Sequence, residues 1–442
     1  MKKNKSIFWV AAGILFGISV QAQTVGTWKS YMAYNNATLV TETPDKVYAV
    51  YDGSLLSYSP EDQSVQTYSI QDDLNPSAIH FLNYCPDTKA LLIVYDNSNI
   101  DIFLGRNNVY HLPDVKNNIY ISNKTINSVE IRNGYAYLAT GFGIVVIDMY
   151  KREIKNTYRL EANTMAVCEW DDALYAATDN GLLWAPLTAN LLDKENWTRV
   201  NALDGVKIAK MVVFQDHLVM YDNERLLVRY FSREGTLKTL ITDNLCRQLT
   251  VLNDQLAVIL WSGILFFKDF DTSTGVTMDD QIKQISSLYS GENYWVAWGD
   301  KGIIKLALKP LPGGWLEYET LVSGLKPNSP VRNLAFRLIF SNNKLLVTGG
   351  DRADNRKNLT GTLMIYENGR WKSADPEAIE AQTGIPCQDW LDVIEDPARP
   401  GRYYVSSWGE GIYVLNENLE LEELYSLDNS SLQSALPNST SA

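Results

Sequence analysis

The residues of this chain whose spacing suits a metal ion lie in one acidic stretch. Asp269, Asp271 and Ser273 occupy alternate positions, and Asp280 is the twelfth residue counted from Asp269, a spacing found in calcium loops that coordinate through oxygen. Thr274 occupies the sixth position, where an EF-hand loop requires glycine for its sharp turn, and no flanking helices are expected. We therefore interpret this stretch as a solvated loop between strands, and the sequence predicts no metal site.

The sequence lacks the patterns that serve covalent or phosphate chemistry. It has no G-x-S-x-G nucleophile elbow and no G-x-x-x-x-G-K-[ST] phosphate loop. Its few histidines are scattered along the chain: His80, His111 and His217. The cysteines are too far apart for a disulfide scaffold or a zinc site: Cys85, Cys168, Cys246 and Cys387. We predict no catalytic residue and no cofactor, and we interpret Cys168, which lies in an apolar stretch, as a buried free thiol.

A short basic segment is the candidate for partner binding. Arg352, Arg356 and Lys357 lie in an insertion at 351–358 that lengthens a predicted hairpin, and long loops held by rigid strands are common binding sites. Their positive charge contrasts with a chain that has 39 Lys and Arg against 52 Asp and Glu. They are suited to an anionic saccharide or an acidic protein surface, with a plain solvated loop as the alternative. The net charge of −13 makes nucleic acid a poor partner.

A repeated pair of apolar strands must position these loops. The clearest copy has an alternating stretch at 135–140, a tight turn at Gly141-Phe142-Gly143 and a second apolar stretch at 144–148. One strand at 126–131 precedes this pair and another at 153–158 follows it, so each unit is predicted to contain four strands. Period-two alternation is typical of strands that bury one face of a sheet, and glycine adopts the positive φ of such turns without steric cost.

Similar units recur at intervals of 38 to 58 residues. Their second strands begin near Val47, Leu91, Ala136, Leu174, Leu218, Leu256, Tyr294, Leu345 and Tyr403. A repeat of about forty residues with four strands per unit is typical of a β-propeller, whereas a β-sandwich has fewer strands and no regular unit. We therefore predict an all-β protein: a seven-bladed β-propeller of four-stranded antiparallel blades, followed by an incomplete second propeller.

Breaks in the repeat predict the domain boundaries. Seven units from 47 to about 308 close one ring, and the segment 28–34 is available to complete a blade. The run Pro310-Leu311-Pro312-Gly313-Gly314 interrupts the pattern, so we assign 23–312 to the first propeller and 313–432 to a partial second propeller. A brief helix is expected near 376–382, and residues 433–442 are predicted to form a disordered tail.

The N-terminal residues predict export. Lys2, Lys3 and Lys5 precede an apolar run at 7–20, and Val20-Gln21-Ala22 supplies small residues for cleavage, which is the pattern of a secretory signal peptide over 1–22. The run is short for a membrane span, and Gln23 stands where a lipoprotein would have cysteine. We expect a protein of the periplasm, the outer membrane or the cell surface, without a transmembrane span.

Three stretches, taken in order, resemble one family. They are Val25-Gly26-Thr27-Trp28-Lys29-Ser30-Tyr31, then Gly361-Thr362-Leu363-Met364-Ile365-Tyr366-Glu367-Asn368-Gly369-Arg370-Trp371, then Tyr404-Val405-Ser406-Ser407-Trp408-Gly409-Glu410-Gly411-Ile412-Tyr413. The chain resembles PorZ-type proteins of the Bacteroidetes type IX secretion system over nearly all of its length after the signal peptide. That family has two propellers and a C-terminal β-sandwich, so the resemblance implies that this chain, which stops at Ala442, is either a truncated product or a sequence from which the remainder is missing.

The resemblance also implies a function. A PorZ-like protein is a non-catalytic adaptor at the cell surface that associates with the sortase of the attachment complex and with anionic lipopolysaccharide. The alternative is a periplasmic glycan-sensing propeller of a regulator, which requires a membrane span and a kinase downstream. A propeller lyase or glycosidase is a third hypothesis, and it requires clustered carboxylates, histidine or tyrosine in a funnel.

Overall fold

The computed structural model describes residues 28–279, 281–287, 289–352 and 358–433. These residues form nine four-stranded sheets, numbered 1 to 9 in chain order, and in each sheet the four strands pair antiparallel in the order of the sequence. Such a meander follows from short hairpin turns. In sheet 1 the turn residues Asp52 and Gly53 have φ angles of 47° and 80°, the positive values that a two-residue hairpin turn between twisted strands requires.

The first seven sheets occupy residues 37–322. Sheets 1 to 3 consist of β1 (Ala37–Glu42), β2 (Val47–Tyr51), β3 (Ser54–Ser59), β4 (Ser64–Thr67), β5 (Ile79–Cys85), β6 (Ala90–Tyr95), β7 (Ile100–Gly105), β8 (Asn108–Leu112), β9 (Ile126–Arg132), β10 (Tyr135–Thr140), β11 (Gly143–Asp148) and β12 (Glu153–Arg159). Sheets 4 and 5 consist of β13 (Thr164–Trp170), β14 (Ala173–Thr178), β15 (Gly181–Pro186), β16 (Thr198–Arg199), β17 (Ile208–Phe214), β18 (His217–Asp222), β19 (Leu227–Phe231) and β20 (Leu237–Ile241). Sheets 6 and 7 consist of β21 (Gln248–Leu252), β22 (Gln255–Leu260), β23 (Gly263–Phe267), β24 (Ser273–Thr277), β25 (Ile282–Ser286), β26 (Asn293–Trp298), β27 (Ile303–Pro310) and β28 (Leu316–Val322).

The remaining sheets and the helices are fewer. Sheets 8 and 9 consist of β29 (Arg337–Ser341), β30 (Lys344–Thr348), β31 (Leu363–Glu367), β32 (Arg370–Ser373), β33 (Trp390–Glu395), β34 (Tyr403–Ser407), β35 (Ile412–Leu415) and β36 (Leu421–Tyr425). The α-helices of the described residues are α1 (Asp114–Asn117) and α2 (Pro376–Thr383), and the 3₁₀ turns are Ile70–Asp72, Lys194–Asn196 and Asn201–Leu203. The helix expected near 376–382 is confirmed as α2. None of the helices in the described part of the chain has the length and apolarity of a membrane span.

Sheets 1 to 7 form a closed ring, because each of them packs against two neighbours. Every pair of consecutive sheets shares its own apolar cluster, and a seventh cluster joins sheet 1 to sheet 7 through residues such as Val40, Ala49 and Trp295. An open stack of seven sheets would have only six such interfaces. The seven-bladed propeller of four-stranded blades predicted from the repeat is confirmed.

Backbone hydrogen bonds close the ring at the seam between sheets 7 and 1. The Ala37 amide donates to the Gly299 carbonyl at 2.7 Å, and the Gly299 amide donates to the Ala37 carbonyl at 3.1 Å. The buried carboxylate of Glu42 bonds to the Ser290 hydroxyl and accepts from the Tyr289 amide at 3.2 Å. These bonds fix sheet 1 against sheet 7, so the first strands of all seven sheets surround one axis.

Two sequence-based expectations differ from the structure. Residues 310–314 were expected to separate the two propellers, but they lie inside sheet 7. Pro310 is the last residue of β27 and 311–314 belong to the turn before β28, so the sheet extends past residue 312. The segment 28–34 was expected to complete a blade, but it contains no strand. It lies instead along the connection after sheet 7, where the Ala33 amide donates to Asn333 at 2.6 Å and the Tyr34 amide to Ser329 at 3.1 Å.

Sheets 8 and 9 form a smaller unit attached to the ring. They share one apolar cluster that includes Trp390 and Tyr403, and the buried carboxylate of Glu395 links them by accepting from Lys344 at 2.9 Å. The N-terminal segment contacts this unit through Tyr31, whose ring lies 5.5 Å from that of Trp371. The segment thus touches both the connection after the ring and sheet 8.

Candidate functional site: the central channel of the ring

A β-bulge occurs at the same place in the first strands of the ring. In six of the seven sheets one residue interrupts the pairing register between the first and second strands. A bulge leaves the extra residue unpaired and redirects its side chain, and bulges are common at barrel rims and binding sites. The extra residues are Thr38, His80, Asn127, Met165, Ala209 and Lys283. In sheet 6, Arg247 takes the same place, immediately before β21.

The first strands enclose a channel along the axis of the ring. All seven of them contribute residues to its lining, and the channel encloses about 480 Å³, which falls in the size range of small-molecule sites. The uncharged polar residues of the lining are Thr41, Asn83, Asn127, Ser128, Gln248, Thr250 and Gln284. The acidic and basic side chains of the lining are those of Glu130, His80, Lys210, Arg247 and Lys283.

Amide side chains connect the first strands of neighbouring sheets. Gln248 accepts a hydrogen bond from the Ile285 amide at 2.8 Å and donates to the Ile285 carbonyl at 3.2 Å. Gln284 occupies the equivalent position in sheet 7 and accepts from the Val40 amide at 2.8 Å, which adds a bond to the seam of the ring. Because these side chains satisfy backbone groups that face the next sheet, they hold the channel wall in place.

The basic residues of the channel differ in their partners. Arg247 donates to the Ile282 carbonyl at 3.0 Å, and its guanidinium lies 4.5 Å from the ring centre of Trp261, which is 52% exposed. His80 pairs with Asp96 at 3.1 Å. Lys210 and Lys283 are half-buried.

Glu130 is the one carboxylate among the described residues that line the channel. The pKa of Glu130 is raised from 4.5 to about 7, mainly by burial. This value includes a smaller lowering by Arg132 and a smaller raising by Glu169. Desolvation penalises the ionised form of a carboxylate, so at neutral pH this residue is divided between its neutral and charged forms. The channel therefore carries more positive than negative charge, although the whole chain is acidic.

The basic rim segment predicted from the sequence is described only in part. Arg352 is exposed and its amide donates to the carboxylate of Asp351 at 2.6 Å, whereas Arg356 and Lys357 lie outside the described residues. The far end of the loop is fixed by buried Asp389, which accepts from the amides of Asn358 and Leu359. This end of the loop is thus anchored to the start of sheet 9.

The acidic stretch at 269–280 forms a turn. Asp269 accepts hydrogen bonds from the amides of Asp271 and Thr272 at 3.0 and 2.6 Å, while Asp280 lies outside the described residues. Within the described parts of the chain, no three His, Cys, Asp or Glu residues converge in a way that suits a metal ion. Cys168 is a buried free thiol as predicted, and the other cysteines are also free and buried.

Sequence reasoning did not find the channel residues. Glu130 lies in the predicted strand at 126–131, where it was interpreted only as part of a blade, and Lys210 and Lys283 lie in first strands whose bounds were not predicted individually. A basic residue occupies the bulge position as His80 and Lys283, and that signal appears only when the repeats are aligned on their first strands. Lys210 and Glu130 follow the bulge residues of their own strands by one and three positions, so no common position marks them.

The comparisons with known proteins agree with this fold. A protein-family model described as the N-terminal β-propeller domain of PorZ, of the type IX secretion system, matches residues 47–198. A solved structure of PorZ from Porphyromonas gingivalis, described as an essential bacterial surface component of that system, is similar to this chain. The two sequences are 22% identical, the TM-score is 0.83, and the match covers 94% of this chain. This chain spans 55% of the length of that protein.

Other solved structures are more distant. The extracellular domain of the one-component system BT4673 from B. thetaiotaomicron is 14% identical over 90% of this chain and 62% of its own, with a TM-score of 0.46. No curated protein matches the chain. The chain therefore contains a PorZ-type N-terminal β-propeller, matched by its family over residues 47–198.

Proposed function

We propose that this protein is a non-catalytic adaptor of a type IX secretion system that binds the sortase of the attachment complex and anionic lipopolysaccharide at the cell envelope. The observation that carries the proposal is the match of residues 47–198 to the PorZ family. The likeness of the whole described chain to the fold of P. gingivalis PorZ supports it. The signal-peptide pattern at 1–22, which lies outside the described residues, supports an exported location in the periplasm or at the outer membrane.

The contacts of the histidines support a role without catalysis. Nδ1 of His111 bonds to Asp101 at 2.8 Å, Nδ1 of His217 bonds to the Gln215 carbonyl at 2.8 Å, and His80 pairs with Asp96. A histidine that activates a nucleophile bonds to a hydroxyl or thiol group, and among the described contacts none of these three histidines bonds to either group.

The raised pKa values of the buried thiols also support a role without catalysis. Burial raises the pKa of Cys246 and of Cys387 to about 12 and that of Cys168 well above its usual value. A thiol must lose its proton to attack a substrate, so these cysteines are poor nucleophiles at neutral pH.

We assign partner binding in this proposal to the basic loop at 351–358, with Arg352, Arg356 and Lys357 as its positive residues. A long loop between two paired strands is positioned by them while its own sequence is free to suit a partner. Three positive charges on an acidic chain favour an acidic protein surface or the anionic groups of lipopolysaccharide.

The test is co-purification of the full chain with its partners from a solubilised envelope of the source organism. The triple charge reversal R352E/R356E/K357E is compared with wild type, and R370E, at the exposed first residue of β32 in the same sheet, serves as the control. We expect recovery of sortase and lipopolysaccharide with wild type and R370E and a reduced yield with the triple variant. Recovery of neither with wild type contradicts the adaptor proposal, and recovery of a neutral glycan alone supports the sensor alternative.

A further inference from the structure

The central channel has a charge pattern that calls for a ligand. Among the described residues that line it, four side chains are basic and Glu130 is the one carboxylate, in a chain whose net charge is −13. Like charges held close together in a narrow space repel one another and raise the local affinity for an anion. The pattern therefore sets the channel apart from the rest of the molecule.

Two lysines of the channel lack an acidic partner. Some lysines elsewhere in the described chain pair closely with carboxylates, as Lys194 does with Glu161 at 2.7 Å and Lys309 with Glu319 at 2.6 Å. Among the described residues, no carboxylate lies within ion-pair distance of Lys210 or Lys283. Because both are half-buried, their charges are only partly solvated, and a bound anion would offset that cost.

We infer that the channel is an anion-binding site that takes a phosphate or carboxylate group borne by a hydroxyl-rich molecule, with Lys210 and Lys283 as its charged contacts. Asn83, Ser128 and Thr250 line the same space and offer hydrogen bonds to hydroxyl groups. The inference rests on the channel residues and is independent of the proposed role in secretion.

The surroundings of the lysines agree with such a ligand. The volume of about 480 Å³ suits a small molecule or the end of a chain. Trp261, against which Arg247 lies, presents a half-exposed flat ring beside the Arg247 end of the lining and offers a stacking surface. The partial protonation of Glu130 near neutral pH limits the repulsion that an anion meets further along the channel.

The test is calorimetric titration of the full chain at low salt with three probes: glucose 6-phosphate, glucuronate and uncharged glucose. We expect heat of binding from the two anions and none from glucose. The anion that binds with the higher affinity shows whether phosphate or carboxylate is preferred. Weakening of the anion's affinity by added salt is also expected, because the contacts are ionic. Heat from none of the probes, or equal heat from glucose, would overturn the inference.

Variants locate the site. K210Q and K283Q are each expected to weaken the anion's affinity about tenfold, the size of one lost charge-assisted hydrogen bond. K238Q is the matched control, since Lys238 is an exposed lysine on the outer strand β20 of the sheet that contains Lys210. Equal losses in all three variants would place the anion outside the channel and contradict the assignment. Because neither channel lysine pairs with a described carboxylate, the thermal midpoints should be unchanged, and this measurement verifies folding.

Discussion

Replacing Glu130 by glutamine should remove a pH-dependent loss of folding stability from the propeller ring. Burial raises the pKa of Glu130 from 4.5 to about 7, so between these values the folded protein retains a proton that the unfolded chain has lost. Stability therefore falls as the pH rises across this interval and stays reduced above it. At about 1.36 kcal/mol for each unit of pKa, the loss amounts to about 3 kcal/mol. Glutamine has a similar shape and no charge, so E130Q avoids this loss.

The assay is urea unfolding of wild type and E130Q at pH 4.5 and pH 8.5, followed by tryptophan fluorescence. We expect nearly equal stabilities at pH 4.5, where Glu130 is largely protonated in the folded state, and an advantage of about 3 kcal/mol for E130Q at pH 8.5. The control is E292Q, at an exposed glutamate in the turn between β25 and β26, which should follow wild type at both pH values. If E130Q shows no advantage at pH 8.5, Glu130 is not held in a desolvated site and the account of the channel's charge is wrong.

Three further changes test how the sheets are joined. Q284A should lower the stability of the ring by about 1 to 2 kcal/mol, because the buried Val40 amide loses its acceptor; urea unfolding measures this. K344M should destabilise sheets 8 and 9 by about 3 to 5 kcal/mol, because Glu395 is left buried without its cation; hydrogen exchange in those sheets measures it. Y31A should loosen the smaller unit from the ring, which limited proteolysis after sheet 7 detects as faster cleavage.

Q284A and K344M each have a control in the same part of the molecule. Q255A removes an amide side chain from β22 that bridges no neighbouring sheet among the described contacts, so it should leave the ring unaffected. K372M removes a lysine that is 3.9 Å from Glu367 and should cost less than about 1 kcal/mol. An unchanged rate of cleavage in Y31A would mean that the aromatic contacts of Tyr31 with sheet 8 do not restrain the smaller unit.

The repeat predicted the ring because every blade obeys the same local rules. Strand alternation and turn residues are local properties, so the four strands at 126–158 could be assigned within one or two residues of β9 to β12. The run at 310–314 was misinterpreted because proline and glycine form a hairpin turn as readily as a domain boundary. The segment 28–34 was misplaced because its partners, Ser329 and Asn333, are about 300 residues away and leave no local signal.

The candidate site was harder to predict than the fold for a similar reason. The channel exists only when seven first strands meet, so the proximity of Lys210, Lys283 and Glu130 is a property of the closed ring and not of any one repeat. The basic loop at 351–358 was visible in the sequence because its three charges are neighbours along the chain. Local charge is readable from one sequence, whereas charge assembled from several blades is not.

The seam between sheets 7 and 1 also determines when the molecule is complete. The bond from the Val40 amide to Gln284 joins residues 244 positions apart, and contacts so distant in sequence form slowly because a long loop must close first. Until sheet 7 emerges and folds, a growing chain presents one bare apolar flank of sheet 1 and another on its most recent sheet. Sheet 7 thus closes the ring, and a chain whose synthesis stops before sheet 7 would be the most prone to associate with other incomplete chains.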